Sequence, residues 1–188
     1  PVFDFLSGKR AKEGIVMQLH PDEPLIIEGI HALNPMLLND DIDRDKLFRV
    51  YVSALTTLNI DDHNRIHTTD ARLLRRLVRD YETRGASMEH TLSMWPSVRR
   101  GEEKWIFPYQ ENADALFNTT LVYEVSVLKK YVYPLLQEVP KESPCYAAAR
   151  DITKVLNYFL DADGIEDEIP PTSILREFIG GCTFYRKD

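Results

Sequence analysis

The sequence is poor in cysteine and short of positive charge. Its two cysteines, Cys145 and Cys182, lie far apart and form no Cys-x-x-Cys pair. Neither a zinc site nor a disulfide framework is therefore indicated, and we expect both thiols to be reduced. The formal net charge is -7 at pH 7, which argues against a protein that binds a nucleic-acid polymer through a basic surface.

Long apolar runs are also missing. No run approaches the roughly 20 residues that a membrane helix requires. The chain opens with Pro-Val-Phe-Asp rather than with a charged and then apolar signal segment, so we expect a cytoplasmic protein with no membrane partner. Its 188 residues, 44% of them hydrophobic, are enough for one substantial core, and we predict a single domain. Because the first residue is not methionine, we expect a fragment of a longer reading frame.

Two catalytic signatures are absent. No Gly-x-Ser-x-Gly sequence supports covalent hydrolysis. The phosphate-binding loop Gly-x-x-x-x-Gly-Lys-Ser/Thr is also missing. Residues 7–10, Ser-Gly-Lys-Arg, imitate its end, but no glycine precedes them at the right distance and Arg10 replaces the hydroxyl residue. We therefore reject this segment as a phosphate-binding loop.

Short apolar runs bounded by turn residues predict an α/β domain with a parallel sheet. Residues 24–29 have the pattern of a strand buried on both faces, with Glu28 at its carboxyl end, and residues 47–52 form a second such run. Residues 32–38 between them leave room only for a short helix. A third strand is predicted over 113–121. The strand, helix, strand order is typical of the α/β class.

Helical spacing predicts a long helix that begins at Thr69 or Asp70 and ends near Arg84, with Gly85 just past its end. An irregular stretch over 86–110 is expected to follow. We predict further helices and loops toward the carboxyl terminus. They are helices over 122–136 and 146–160, a loop over 140–144, an acidic linker over 161–168, a short helix from Ser173 to about Gly180, and a strand over 182–185.

The long helix carries one apolar and one arginine-rich face. Its apolar positions are predicted to be Leu74, Leu77, Val78 and Tyr81, which recur at helical spacing. Four arginines share about a third of the circumference on the other side, and each offers a planar fork of donors suited to phosphate oxygens. These arginines are Arg72, Arg75, Arg76 and Arg79.

Only Asp80, four residues after Arg76, is placed along the helix to offset these four charges. A bound polyphosphate would relieve their mutual repulsion. The alternative is a solvated amphipathic helix whose arginines pair with carboxylates elsewhere in the fold.

Two other constellations could bind metal. Glu28 at a strand end could hold a Mg2+ that bridges phosphates, or it could simply anchor a loop. His63 and His67 are four residues apart, a spacing that can bind a metal on one helix face, but the glutamate of His-Glu-x-x-His is missing. The alternative for this pair is loop and cap hydrogen bonding near Asp61 and Asp62.

Several segments, taken in order, carry a family resemblance. They are residues 3–5 (Phe-Asp-Phe), 25–30 (Leu-Ile-Ile-Glu-Gly-Ile), 75–80 (Arg-Arg-Leu-Val-Arg-Asp), 84–85 (Arg-Gly), 98–100 (Val-Arg-Arg), Pro108 and 113–114 (Ala-Asp). The sequence resembles the uridine kinase family, a branch of the P-loop kinases that includes phosphoribulokinase. Residues 59–66, 93–103 and 173–181 are similar to a bacterial subgroup with an amino-terminal region like part of threonyl-tRNA synthetase.

The resemblance implies a P-loop kinase-type parallel sheet with flanking helices, incomplete at the amino terminus. A helical lid would span about 69–108, and a carboxy-terminal helical part with the last strand about 121–188. The implied reaction is transfer of the γ-phosphate of ATP, with Mg2+, to the 5'-hydroxyl of a nucleoside, and Arg79 and Arg84 would be catalytic. The implied binding residues are Phe3, Asp4 and Arg76 for the nucleoside, Arg79, Arg84 and Arg100 for ATP, and Glu28 for Mg2+.

The sequence departs from the family pattern at three substrate positions, where it has Gly8, Ala86 and Met94. The family also places its phosphate-binding loop and proton-accepting aspartate before Pro1, so we expect the isolated chain to have little or no kinase activity. Two alternatives stay open: a kinase of another small-molecule hydroxyl in the same branch, and a non-catalytic nucleotide- or RNA-associated module. A homo-oligomer is possible.

Overall fold

The computed structural model describes residues 2–4, 9–37 and 42–184. Most of the regular structure in these ranges is helical. None of the described helices is long and apolar enough to cross a membrane. The helices are α1 (Thr68–Arg84), α2 (Met88–Trp105), α3 (Glu124–Gln137), α4 (Tyr146–Leu156) and α5 (Arg176–Ile179), with 3-10 turns at Pro35–Leu37, Arg44–Lys46, Phe107–Asn112 and Ile165–Glu168.

Two strands form a parallel pair at one side of the helices. Strand β3 (Val50–Ser53) pairs in parallel with β4 (Ala115–Asn118). A separate antiparallel pair joins β1 (Phe3–Asp4) to β2 (Lys9–Arg10). Because β3 and β4 run in parallel, the chain must cross over between them, and α1 and α2 make that crossover. The predicted α/β class, with a parallel sheet and flanking helices, is confirmed.

The core lies between the helices, and α1 is at its centre. Helix α1 packs against α2, α3 and α5, and α3 also packs against α4. Each helix contributes apolar side chains that are almost fully buried, among them Leu74, Leu77, Leu92, Leu128 and Leu156. Burial of such side chains is the main favourable contribution to folding. The core therefore holds α1, and with it the arginine face, in a fixed position.

The prediction of the long helix is confirmed, including its end. Helix α1 stops at Arg84, and Gly85 adopts a left-handed conformation with φ of 62° that glycine tolerates best. The start differs slightly, because His67 rather than Thr69 or Asp70 is the capping residue. The apolar face is also shifted. Leu73 is buried in place of Tyr81, whose exposed fraction is 45%.

The strand predicted over 24–29 is wrong. These residues belong to no strand, and Ile26 is 88% exposed. A strand needs a neighbour for its backbone N–H and C=O groups, and no described residue pairs with this segment. Of the short helix predicted over 32–38, the 3-10 turn Pro35–Leu37 is present, and residue 38 lies outside the described residues.

The irregular stretch predicted over 86–110 is also wrong, because most of it is α2. Ser87 accepts a hydrogen bond from the backbone N–H of His90 and caps the helix. The helix continues through Pro96 although proline lacks the donor that the ladder uses there. Burial of Thr91 and Leu92 outweighs the local effect of Pro96. After α2, Phe107–Asn112 forms a 3-10 helix.

The carboxy-terminal predictions are mostly confirmed. Helices α3, α4 and α5 lie close to the predicted ranges. Helix α3 ends at Gln137, one residue late, α4 ends at Leu156, four residues early, and α5 begins at Arg176 rather than Ser173. The strand predicted over 182–185 is not formed by its described part, since residues 182–184 make no strand. Residue 185 lies outside the described residues, as do residues 5–8, which include Phe5 of the family segment and Gly8.

Candidate functional site

The arginine face of α1 is held by three buried carboxylates. The side chains of Asp80, Glu102 and Glu124 are only 5%, 3% and 2% exposed. A buried carboxylate is costly unless charged or hydrogen-bonding partners surround it. Each of the three is surrounded by such partners, and most of those partners are arginines of α1.

The deepest of these ion pairs joins Arg75 to Glu124 at the start of α3. The guanidinium of Arg75 faces both carboxylate oxygens, with 2.6 Å between Nη2 and Oε2. It also donates to the hydroxyl of Thr119 at 3.0 Å and to the Thr119 carbonyl at 2.7 Å. Four donor contacts on one planar group leave no room for a ligand. Arg75 therefore fixes α1 to the end of β4 and the start of α3.

A second carboxylate ties α1 to α2. Glu102 accepts from Arg72 at 2.6 Å and from Arg99 of its own helix at 2.8 Å. Because the two arginines approach from different helices, this interaction stabilises one relative position of α1 and α2.

The third carboxylate, Asp80, serves two arginines of α1 at once. The Arg76 Nε lies 3.0 Å from one oxygen and the Arg84 Nη1 lies 2.7 Å from the other. The hydroxyl of Thr91 on α2 is 3.4 Å away and donates to the same carboxylate. Asp80 thus holds Arg76 and Arg84 side by side near the carboxyl end of α1.

Arg79 has weaker partners, supplied by α5. Its Nη1 is 3.4 Å from the Glu177 carboxylate, and its guanidinium lies 5.9 Å from the centre of the Phe178 ring. The guanidinium of Arg75 lies 5.5 Å from the same ring centre. Contacts of this kind between a cation and an aromatic face are attractive, so Phe178 helps to orient Arg79.

These contacts correct the expectation that the four arginines repel one another until a polyphosphate binds. Glu102, Glu124, Asp80 and Glu177 supply one carboxylate to each of them. The alternative, that the arginines pair with carboxylates elsewhere in the fold, is what the structure shows. Only the Arg76–Asp80 spacing was visible in the sequence, since the other partners come from distant elements.

The arginines nevertheless differ in how open they are. The side chain of Arg84 is 56% exposed and that of Arg79 is 35% exposed, whereas that of Arg75 is 11% exposed. Arg100 of α2 is exposed, and within the described part of the chain it forms no ion pair. Three guanidinium groups of the predicted site are therefore accessible to a ligand.

The remaining predicted residues lie apart from α1. Glu28 is exposed, and no side-chain hydrogen bond or ion pair joins it to another described residue. Phe3 and Asp4 lie in β1 opposite Arg10 and Lys9. Between the described parts of residues 2–37 and α1 there is no hydrogen bond or ion pair. The structure thus brings Arg76, Arg79 and Arg84 together but does not place the other residues beside them.

The loop before α1 is organised by hydrogen bonds to Asp61. Asp61 accepts hydrogen bonds from the backbone N–H groups of His63 at 2.8 Å and Asn64 at 2.7 Å, and from the Asn64 side chain. These bonds, that of the Asn64 side chain above all, lower the pKa of Asp61. Loop hydrogen bonding, the alternative to a metal at His63 and His67, is observed. The described residues contain no cluster of three or more metal-binding side chains. A Mg2+ bound by one carboxylate and by phosphates would not require such a cluster.

Asp70, in the first turn of α1, provides a test by pH. Burial raises its pKa, and Asp151 adds to the effect while His67 opposes it. Because folded Asp70 holds its proton more tightly than unfolded Asp70 does, its contribution to stability is complete below the unfolded pKa of about 3.9. That contribution is lost as pH rises through the higher folded pKa. We expect Asp70→Asn to gain stability over the wild type as pH rises from acid to neutral. Urea unfolding of both proteins across this range measures the difference, and a constant difference would contradict the assignment.

Comparison with known proteins gives a consistent result. A family model described as Phosphoribulokinase / Uridine kinase family matches residues 1–126. The uridine kinase of Staphylococcus epidermidis is 32% identical over 117 residues, which are 62% of this chain and 47% of that protein. The uridine kinase of Chlamydia pneumoniae is 32% identical over 117 residues, 62% of this chain and 45% of that protein. The chain thus spans less than half the length of these relatives. No solved structure matches.

Proposed function

The chain belongs to the phosphoribulokinase / uridine kinase family, and from this premise we propose that it is part of an ATP-dependent kinase that phosphorylates the 5'-hydroxyl of a nucleoside. One observation carries the proposal. Helix α1 lies wholly within the span that the family model matches, and it presents Arg79 and Arg84 with partly open guanidinium groups.

The open arginines suit phosphoryl transfer. This reaction depends mostly on positioning and on neutralising the charge of the transferring group. Ion pairs at a solvent-exposed site are worth only about 0–1 kcal/mol, so a multiply charged phosphate can replace Glu177 at Arg79. Arg84 is 56% exposed and can turn from Asp80 to a phosphate, because Arg76 still pairs with that buried carboxylate. Arg72 and Arg75, which are themselves only 27% and 11% exposed, keep their partners. In this proposal the first pair binds phosphate and the second pair holds the helix.

The other roles follow from the family. Residues 69–108, which comprise α1 and α2, would form the lid over the substrates. Glu28 would help to hold Mg2+, which neutralises phosphate charge when bound, and a single exposed carboxylate fits an ion that keeps several waters and phosphate ligands. The nucleoside would contact Phe3, Asp4 and Arg76, and ATP would contact Arg79, Arg84 and Arg100.

The acceptor is the open part of the proposal. The relatives are named uridine kinase, and uridine is accordingly the first acceptor to test. The sequence departs from the family pattern at Gly8, Ala86 and Met94. The alternative, that the protein phosphorylates another small-molecule hydroxyl, is therefore tested as well. A panel of nucleosides and other phosphate acceptors, assayed with the full-length protein, distinguishes the two.

The isolated chain is expected to be a poor catalyst because its 188 residues contain no Gly-x-x-x-x-Gly-Lys-Ser/Thr loop to hold the phosphates of ATP. Transfer of labelled γ-phosphate to uridine by the purified chain should be far slower than the roughly 1–100 s⁻¹ of kinases. Turnover within that range would show that the chain needs no such loop.

Arg84→Ala is expected to weaken binding of Mg2+-ATP by about tenfold, which corresponds to about 1.4 kcal/mol. The reason is that an exposed guanidinium fork available to phosphate is lost, while the buried Asp80 keeps Arg76 as its partner. Isothermal titration of the full-length protein with Mg2+-ATP measures the effect. Lys104→Ala serves as the control, since Lys104 is an exposed cation of α2 that stacks on Trp105. Equal affinity of the Arg84→Ala and Lys104→Ala variants for Mg2+-ATP would show that Arg84 is not part of the ATP site.

A further inference from the structure

A cleft lies between α3 and α4, on elements that the proposed reaction does not use. Its volume is about 350 Å³. Its lining combines an apolar floor, which includes the buried residues Leu136 and Val139, with a rim of polar side chains. All of these residues follow the span 1–126 that the family model matches. The polar rim consists of Gln137, Lys141, Tyr146, Arg150, Thr153, Lys154 and Asn157.

The rim is positively charged in a protein whose net charge is -7. It has three cations and no lining carboxylate. Lys154 pairs with Asp151 at 3.0 Å, but Lys141 and Arg150 form no ion pair within the described ranges. This is the reverse of α1, where Arg72, Arg75, Arg76 and Arg79 each have a carboxylate. Unpaired cations around a concave site favour an anionic ligand.

The rest of the lining suits a ligand with both a phosphate and a flat ring. Tyr146 presents an aromatic surface next to Arg150, whose guanidinium lies 5.9 Å from the ring centre. The Asn157 carboxamide oxygen accepts from the Tyr133 hydroxyl at 3.1 Å, which fixes the amide and leaves its nitrogen to donate. Pockets for small molecules commonly join such an apolar floor to a few placed polar groups.

We propose that the α3–α4 cleft binds a small phosphorylated molecule of mononucleotide size, separately from the arginines of α1. Arg150 and Lys141 contact the phosphate. The ring lies against Tyr146 and the apolar floor.

Isothermal titration of the chain with AMP tests the proposal, with adenosine and inorganic pyrophosphate as further probes. We expect AMP to bind, pyrophosphate to bind more weakly, and adenosine not to bind measurably. Because the attraction is electrostatic and partly exposed, raising NaCl from about 0.05 M to about 0.5 M should weaken AMP binding. Absence of AMP binding, or equal binding of adenosine, overturns the proposal.

Charge reversal locates the site. Arg150→Glu and, independently, Lys141→Glu should each weaken AMP binding at least about tenfold, while Lys104→Glu, with the same charge change on α2, should leave it within about twofold. Circular dichroism confirms that each variant is folded. Because Arg150 and Lys141 are changed in separate variants, the test still holds if one of them fails to fold. Arg84→Glu distinguishes the two sites. If it abolishes AMP binding while Arg150→Glu does not, AMP binds at α1 and the cleft proposal is wrong.

Discussion

Glu124→Ala should lower the free energy of unfolding by about 3–5 kcal/mol, the usual cost of breaking a buried ion pair from one side. The change leaves the guanidinium of Arg75 buried beside Thr119 with its charge uncompensated. Water cannot readily replace the carboxylate, because the side chains of Arg75 and Glu124 are only 11% and 2% exposed. Urea unfolding followed by circular dichroism measures the loss.

Two controls separate burial from charge. Glu103 pairs with Arg99 at 3.4 Å but is 61% exposed, so Glu103→Ala should change the unfolding free energy by no more than about 0.5 kcal/mol. The double variant Arg75→Met with Glu124→Leu removes both charges and should lose less than Glu124→Ala alone. If Glu124→Ala costs no more than Glu103→Ala, the pair does not hold α1 in the way described.

Leu77→Ala should cost about 2–5 kcal/mol, since it removes a fully buried side chain at the centre of the core. The neighbours of Leu77 come from several helices and cannot all move inward to fill the space, so a cavity remains. Urea unfolding should show a lower midpoint with an unchanged denaturant slope.

The matched control is Leu160→Ala, because Leu160 is 86% exposed. We expect its unfolding free energy to stay within about 0.5 kcal/mol of the wild type. An equally small effect for Leu77 would mean that α1 is not packed at the centre of the fold.

The sequence was informative where structure depends on neighbours along the chain. The spacing of Leu74, Leu77 and Val78 and the position of Gly85 were enough to predict α1 to within a residue or two. Strands β3 and β4 were also predicted, because each is a short β-branched or apolar run between turn residues. The family segments pointed to the same fold class.

The failures have one physical origin, which is interaction with distant residues. Residues 24–29 are apolar enough for a strand, but a strand exists only where another backbone pairs with it. Helix α2 forms despite Pro96 because its other residues are held by the core and by Arg72. Glu102 and Glu124 could not be assigned to their arginines from spacing, since they lie 30 and 49 positions away. The arginine face was predicted, and pairing with distant carboxylates was one of the two alternatives, but the partner carboxylates themselves could not be identified.

The carboxylate shared by Arg76 and Arg84 has a thermodynamic consequence. A phosphate that draws Arg84 away leaves the whole negative charge of Asp80 to Arg76 and thereby holds Arg76 more firmly in place. Ligand binding at one guanidinium therefore changes the ligand affinity of the other, and thermodynamic linkage requires this effect to be reciprocal. If Arg84 binds the phosphate donor and Arg76 the acceptor, binding of one substrate changes the affinity for the other through Asp80.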